Sequence, residues 1–153
     1  MSREIIRVEP YSTYLERWNA PTAAVARGAG LVFVSGMPPF DRETGEIVDG
    51  PIEQQTELVM EQMKTCLETA GSSMDQILKV NVFCSSADFF RASNEVYRRY
   101  FPDQLPPRIF VVVPEWTDGS TSKSTAWRSR SHHNWNSIGD GDQSVLGHVR
   151  SSS

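Results

Sequence analysis

The stretch from Pro51 to Gly71 constrains this chain more than any other. Ile52, Val59, Met63, Cys66, Leu67 and Ala70 recur there at helical spacing. The run opens at a proline, whose missing N–H would be unpaired in a first helical turn anyway, and closes at a glycine suited to a helix end. A helix with one apolar stripe must bury that stripe against a partner. The partner follows at once: Leu78 to Cys84 alternates, with Val80, Val82 and Cys84 on one face of a strand. Ser86 then stands as an N-cap for a second helix reaching Phe101, with Phe89, Val96, Tyr97 and Tyr100 on its inner side. Pro102 to Pro107 stops that helix, and Arg108 to Val113 is an apolar strand after its arginine, suited to a sheet centre.

Upstream, Ile5 to Val8, Ala23 to Arg27 and Leu31 to Ser35 read as short strands, the last two joined by the turn Gly28-Ala29-Gly30. A loop carrying Pro38, Pro39, Asp41, Thr44 and Gly45 leads into the long helix. The order is strands, helix, strand, helix, strand. It predicts an α+β fold, a mixed sheet with two helices on one face. The other face stays apolar and needs a cover, which predicts oligomerisation through the sheet.

The chain has 153 residues, enough for one domain, with 39% hydrophobic and 22% charged residues. A net charge of -4 gives no electrostatic footprint for nucleic acid or anionic lipid. No apolar run is long enough to span a bilayer, and Met1-Ser2-Arg3-Glu4 has no leader-like apolar stretch, so cytoplasmic residence is expected. Cys66 and Cys84 lack metal-ligand spacing and read as reduced core residues. All three histidines, His132, His133 and His148, fall in the last part of the chain. The pair His132-His133 invites a metal reading, but its surroundings favour none. Arg98-Arg99 closes a helix, where cations complement the macrodipole.

The chain changes character near Thr117. After it come many serines and no glutamate, and Ser129 to Ser153 shows no helix or strand period. The expected division is therefore a domain over 1–117, with its closing strand missing, and an aberrant or disordered tail over 118–153.

Several local strings occur together in order: Val34-Ser35-Gly36, Thr44-Gly45-Glu46-Ile47-Val48, Gln54-Gln55-Thr56, Glu68-Thr69-Ala70-Gly71, Asp88-Phe89, Asn94-Glu95-Val96-Tyr97 and Pro107-Arg108. In this series the chain resembles the reactive-intermediate deaminase (RidA/YjgF) family over roughly its first three-quarters. Met1 to Val8, Tyr14-Leu15-Glu16 and Val113-Pro114-Glu115-Trp116-Thr117 are similar to its 2-aminomuconate deaminase branch. The resemblance implies a chorismate-mutase-like α+β fold and a homotrimer with clefts between subunits. It implies no cofactor and no metal. The implied reaction is hydrolysis of an enamine or imine to a ketone and ammonia, here 2-aminomuconate to 4-oxalocrotonate.

The resemblance makes Arg108, Ser35 and Asn94 the catalytic candidates, with Arg108, Phe110 and Thr22 lining the substrate. Arg108 suits a dicarboxylate enamine, because a guanidinium grips a carboxylate bidentately and an ammonium does not. A surface or interface salt bridge is the plain alternative. Ser35 is otherwise a strand-end turn residue, and Asn94 a polar cap on a helix face. Thr22 stands where the family often has a pocket aromatic, and Phe110 where it often has a cysteine. Water attack on the imine carbon needs a proton acceptor, and the family carries a glutamate on its last strand.

This chain instead reads Asp118-Gly119-Ser120-Thr121-Ser122-Lys123-Ser124-Thr125-Ala126-Trp127. Back-translated from Gly119 with serines as TCN codons and with one choice of the remaining wobble bases, and read from the third base, the message becomes Leu-Asp-Ile-Glu-Ile-Asp-Cys-Val-Ala-Val-Ala-Val-Ala-Ser and then a stop. Apolar–polar alternation is nearly forced in that frame, and alternation is the period of a strand. The expectation is a slipped coding frame that removes the glutamate-bearing strand; the alternative is a naturally variable tail. The rival functions are a trimer that holds a small carboxylate without turnover, and an inactive frame-altered product.

Overall fold

The computed structural model describes residues 2–113 and 143–150. Three short elements open the chain: strand β1 (Glu4–Ile6), helix α1 (Tyr11–Arg17) and strand β2 (Val25–Gly28). Strand β3 (Leu31–Val34) returns antiparallel to β2 through a turn in which Ala29 and Gly30 both take positive φ. Such turns match the twist of the strands they join. Helix α2 (Ile52–Thr69) follows the proline-rich loop, with Pro51 as its N-cap rather than its first helical residue. Strand β4 (Ile77–Cys84), helix α3 (Phe90–Arg99) and strand β5 (Arg108–Val112) form a crossover, and β5 runs parallel to β4.

The family-type α+β fold is what the structure has: a mixed sheet in the order β1-β2-β3-β6-β4-β5. Val32, Val34, Val80 and Val82 point from the sheet into the core, where they meet Val59, Met60, Met63 and Leu67 of α2. Each such side chain fully removed from water contributes about 1.5–3 kcal/mol. Val96 and Tyr97 of α3 are buried too. Ser86 caps as expected: its Oγ accepts from the Asp88 N–H and starts a single-turn helix, Ala87–Phe89, that leads into α3.

Three expectations change. First, α1 had not been anticipated, although Tyr11, Tyr14 and Leu15 have helical spacing and all are buried. Second, β5 lies at the sheet edge, not its centre; Ile109 and Val112 stay exposed, because β5 pairs only with β4 among the described residues. A continuous apolar run marks a strand covered on both faces only when something covers the second face. Third, Ser129 to Ser153 had been read as lacking any strand. The backbone instead places strand β6 (Gln143–Arg150) between β3 and β4, antiparallel to both. The reason is ladder demand. Without β6, β3 and β4 would each leave a row of backbone N–H and C=O groups unpaired in mid-sheet. Val149 stands opposite Val32, and Val145 opposite Val82. The remaining residues of the expected tail, with Glu115, His132 and His133, lie outside the described residues.

Candidate active site

The β4–α3–β5 crossover brings the start of β5 against one face of α3. Phe90, Asn94 and Tyr97 recur there at helical spacing, so they share a stripe. Arg108 reaches that stripe. Its Nη2 donates to Asn94 Oδ1 at 2.7 Å. Its guanidinium carbon lies 4.6 Å from the centre of the Tyr97 ring, 5.9 Å from that of Phe90 and 6.0 Å from that of Phe110. Phe90 and Phe110 meet edge to face with ring centres 5.0 Å apart.

Burial pulls the Arg108 pKa below its ordinary value, although an arginine so placed still carries its charge. Burial pushes the Tyr97 hydroxyl up to about 12, with Arg108 opposing the shift. Among the described residues no carboxylate forms an ion pair with Arg108. With one neutral hydrogen-bond acceptor and ring faces around it among the described residues, this half-buried cation has donors left for an anion there.

The other two sequence candidates sit elsewhere. Ser35 follows β3, and its Oγ lies 3.1 Å from Thr22 Oγ1. Register connects Val34 to Gly147, Gly147 to Val80 and Val80 to Arg108. Ser35 therefore stands beyond a row three strand spacings from Arg108, roughly 14 Å across the sheet. The structure brings Arg108, Asn94 and Phe110 together and pairs Ser35 with Thr22, but it does not join the two groups within one chain. Sequence reasoning missed Phe90, and it treated Tyr97 as core alone. The signal was available in their spacing from Asn94.

Cys66 and Cys84 are free and buried, and burial pushes the Cys66 thiol up to about 12, so it is no nucleophile at neutral pH. Among the described residues no group of His, Cys, Asp or Glu could hold a metal ion.

The fold and this site define a class: small α+β proteins with a half-buried guanidinium at a sheet edge. The family model described as Endoribonuclease L-PSP matches residues 14–120, and the chain belongs to that family, the RidA/YjgF proteins. A RutC family protein of Pyrococcus abyssi is 37% identical over 113 residues, covering 74% of this chain and 86% of that one. The protein mmf2 of Schizosaccharomyces pombe, named as mitochondrial, is 38% identical over 93 residues, covering 61% of this chain and 72% of its own length. A crystal structure described as a putative endoribonuclease of Thermotoga maritima superposes with a TM-score of 0.68 at 34% identity, covering 88% of this chain and 89% of that chain.

Proposed function

We propose that this protein is a cofactor-independent deaminase of carboxylate-bearing enamines and imines, with 2-aminomuconate as its substrate and 4-oxalocrotonate plus ammonia as products. The observation that carries this reading is Arg108: half-buried, held by Asn94, and without a carboxylate partner among the described residues. The guanidinium grips a substrate carboxylate and fixes the adjacent C–N carbon. The enamine tautomerises to the imine. Water adds across the C=N bond, its oxygen to carbon and one of its protons to nitrogen; the carbinolamine then passes its hydroxyl proton to nitrogen, the C–N bond breaks, and the ketone and ammonia leave. Asn94 serves as a positioning residue for Arg108. Ser35 and Thr22 line the cleft from a neighbouring copy in a homotrimer, which explains why one chain leaves them roughly 14 Å from the guanidinium across the strand spacings. Cytoplasmic residence belongs to the same proposal.

One observation favours a second reading, a carboxylate-binding trimer without turnover. The strand in the closing position, β6, contains no Asp or Glu in its sequence. We ascribe this to a slipped reading frame after Thr117.

Ammonia release from 2-aminomuconate tests both readings. The chain as it stands is assayed beside Arg108→Lys and beside a version ending in the hidden-frame strand. The deaminase reading expects Arg108→Lys to lower kcat/KM by about 10- to 100-fold, the worth of a charge-assisted hydrogen bond. Higher activity in the hidden-frame version supports the slip. No release from either full chain, with retained binding of a dicarboxylate, supports the binding protein. An oligoribonucleotide in the same series checks the activity that the family description names.

A further inference from the structure

We propose that Phe90 and Phe110 form an aromatic wall beside Arg108 that selects planar, conjugated carboxylates over saturated ones of the same length. This deepens the deaminase reading by naming the substrate class of the same site. Phe90 is a large apolar side chain left 48% exposed, although it stands on the same helical stripe as Asn94 and Tyr97. Its ring is not loose packing. It contacts the Phe110 ring edge to face at 5.0 Å, and both rings lie about the guanidinium, at 5.9 and 6.0 Å from its central carbon. Tyr97 occupies a third side at 4.6 Å, and Asn94 accepts one N–H.

A carboxylate entering this site must approach the remaining guanidinium N–H edges. The chain attached to it then leaves along the rim formed by the exposed Phe90 ring and its partner. A flat π-system stacks there without losing rotational freedom, because its torsions are already fixed by conjugation. A saturated chain has to freeze several torsions to make the same contact and offers no π face. An enamine conjugated to a carboxylate is such a flat system.

The test uses the full chain and two unreactive dicarboxylates of equal length, muconate (conjugated) and adipate (saturated), in isothermal titration. Muconate is expected to bind at least about fivefold more tightly, the scale of one stacking contact. Phe90→Leu and Phe110→Leu, which keep an apolar side chain and remove the π face, are expected to bring the ratio of muconate to adipate affinity towards one. Circular dichroism and size exclusion confirm that each variant folds as the parent does. Equal affinities in the parent overturn the proposal. So does an undiminished ratio in both leucine variants, and so does failure to bind either acid. The deaminase reading is judged separately. Selective muconate binding with no ammonia release keeps the wall and removes the enzyme; ammonia release without selectivity does the reverse.

Discussion

Tyr97 carries two facts that pull apart. Its ring lies against Arg108, yet its hydroxyl is buried with no hydrogen-bond partner among the described residues. An unpaired buried hydroxyl costs about 1–3 kcal/mol, so Tyr97→Phe should raise stability by about 1 kcal/mol in urea unfolding while keeping the ring under the cation. The pH profile sharpens the same test. Burial holds the neutral forms of Tyr97 and Cys66 up to about 12, above ordinary values of 10.0 and 9.0. In that window the unfolded chain has lost protons that the folded chain retains. Stability therefore falls as pH rises, beginning near pH 9 and continuing to about 12. Tyr97→Phe should make the limb above pH 10 shallower. An unchanged slope would mean that the hydroxyl is solvated. At this scale the sequence was partly legible. Arg108 after a proline and before an apolar run marks itself. Phe90 is marked only by its spacing from Asn94 and Tyr97, a spacing that a stripe facing the core would show as well.

Helix α1 is an element that packing selected over pattern. Its side chains and that of its C-cap Trp18 hold the loop that follows β3: Tyr14 donates to Arg42 O at 2.6 Å, Trp18 Nε1 to Gly45 O at 3.1 Å and Arg17 to Thr44 O at 2.7 Å. Asp41 Oδ1 accepts from the Glu43 and Thr44 N–H groups and fixes the turn from within. The same loop is held from beneath by Gln62, which donates to Pro38 O at 2.9 Å and accepts from the Phe40 N–H at 2.7 Å. Gly45 sits where these ties converge. Its φ is +68°, and a Cβ there would come within 2.4 Å of the Tyr14 ring. Gly45→Ala should destabilise by about 2–5 kcal/mol, the sum of a left-handed backbone and an overpacked contact. A thermal melt within about 0.5 kcal/mol of the parent would show that the loop shifts freely. Seven residues carry too few apolar positions for a period to announce itself, which is why α1 went unread while the 18-residue α2 was read in full. Strand β6 went unread for a different reason. Its ladder places are set by β3 and β4, and its own composition decides almost nothing.

The whole molecule leaves one sheet face without a layer among the described residues. Register sets Ile5 beside Ala26 and Ala26 beside Phe33 on that face, and Ile5 and Phe33 are 50% and 41% exposed. Ile109 belongs to the same face through Asn81, Leu146 and the alternation that leads back to Phe33, and it is 48% exposed. Apolar residues spread along a sheet in this way need a second copy more than they need solvent. Sedimentation should give a particle of three times the 17.2 kDa chain mass, and Phe33→Asp, which puts a charge in the joint, should reduce it to the monomer. A trimer that survives Phe33→Asp would place the interface elsewhere. The separation of Ser35 from Arg108 then makes a stronger demand. If the two meet only across subunits, an Arg108→Gln chain and a Ser35→Ala chain are each defective in every cleft of their own trimers. Coexpressed, they form mixed trimers in which some clefts pair an intact Ser35 with an intact Arg108. Ammonia release should return in the mixture and be absent from the two variants combined after separate purification without subunit exchange. Failure to return in verified mixed trimers would place Ser35 outside the cleft and leave Arg108, Asn94 and the aromatic wall as the site that a single chain builds alone.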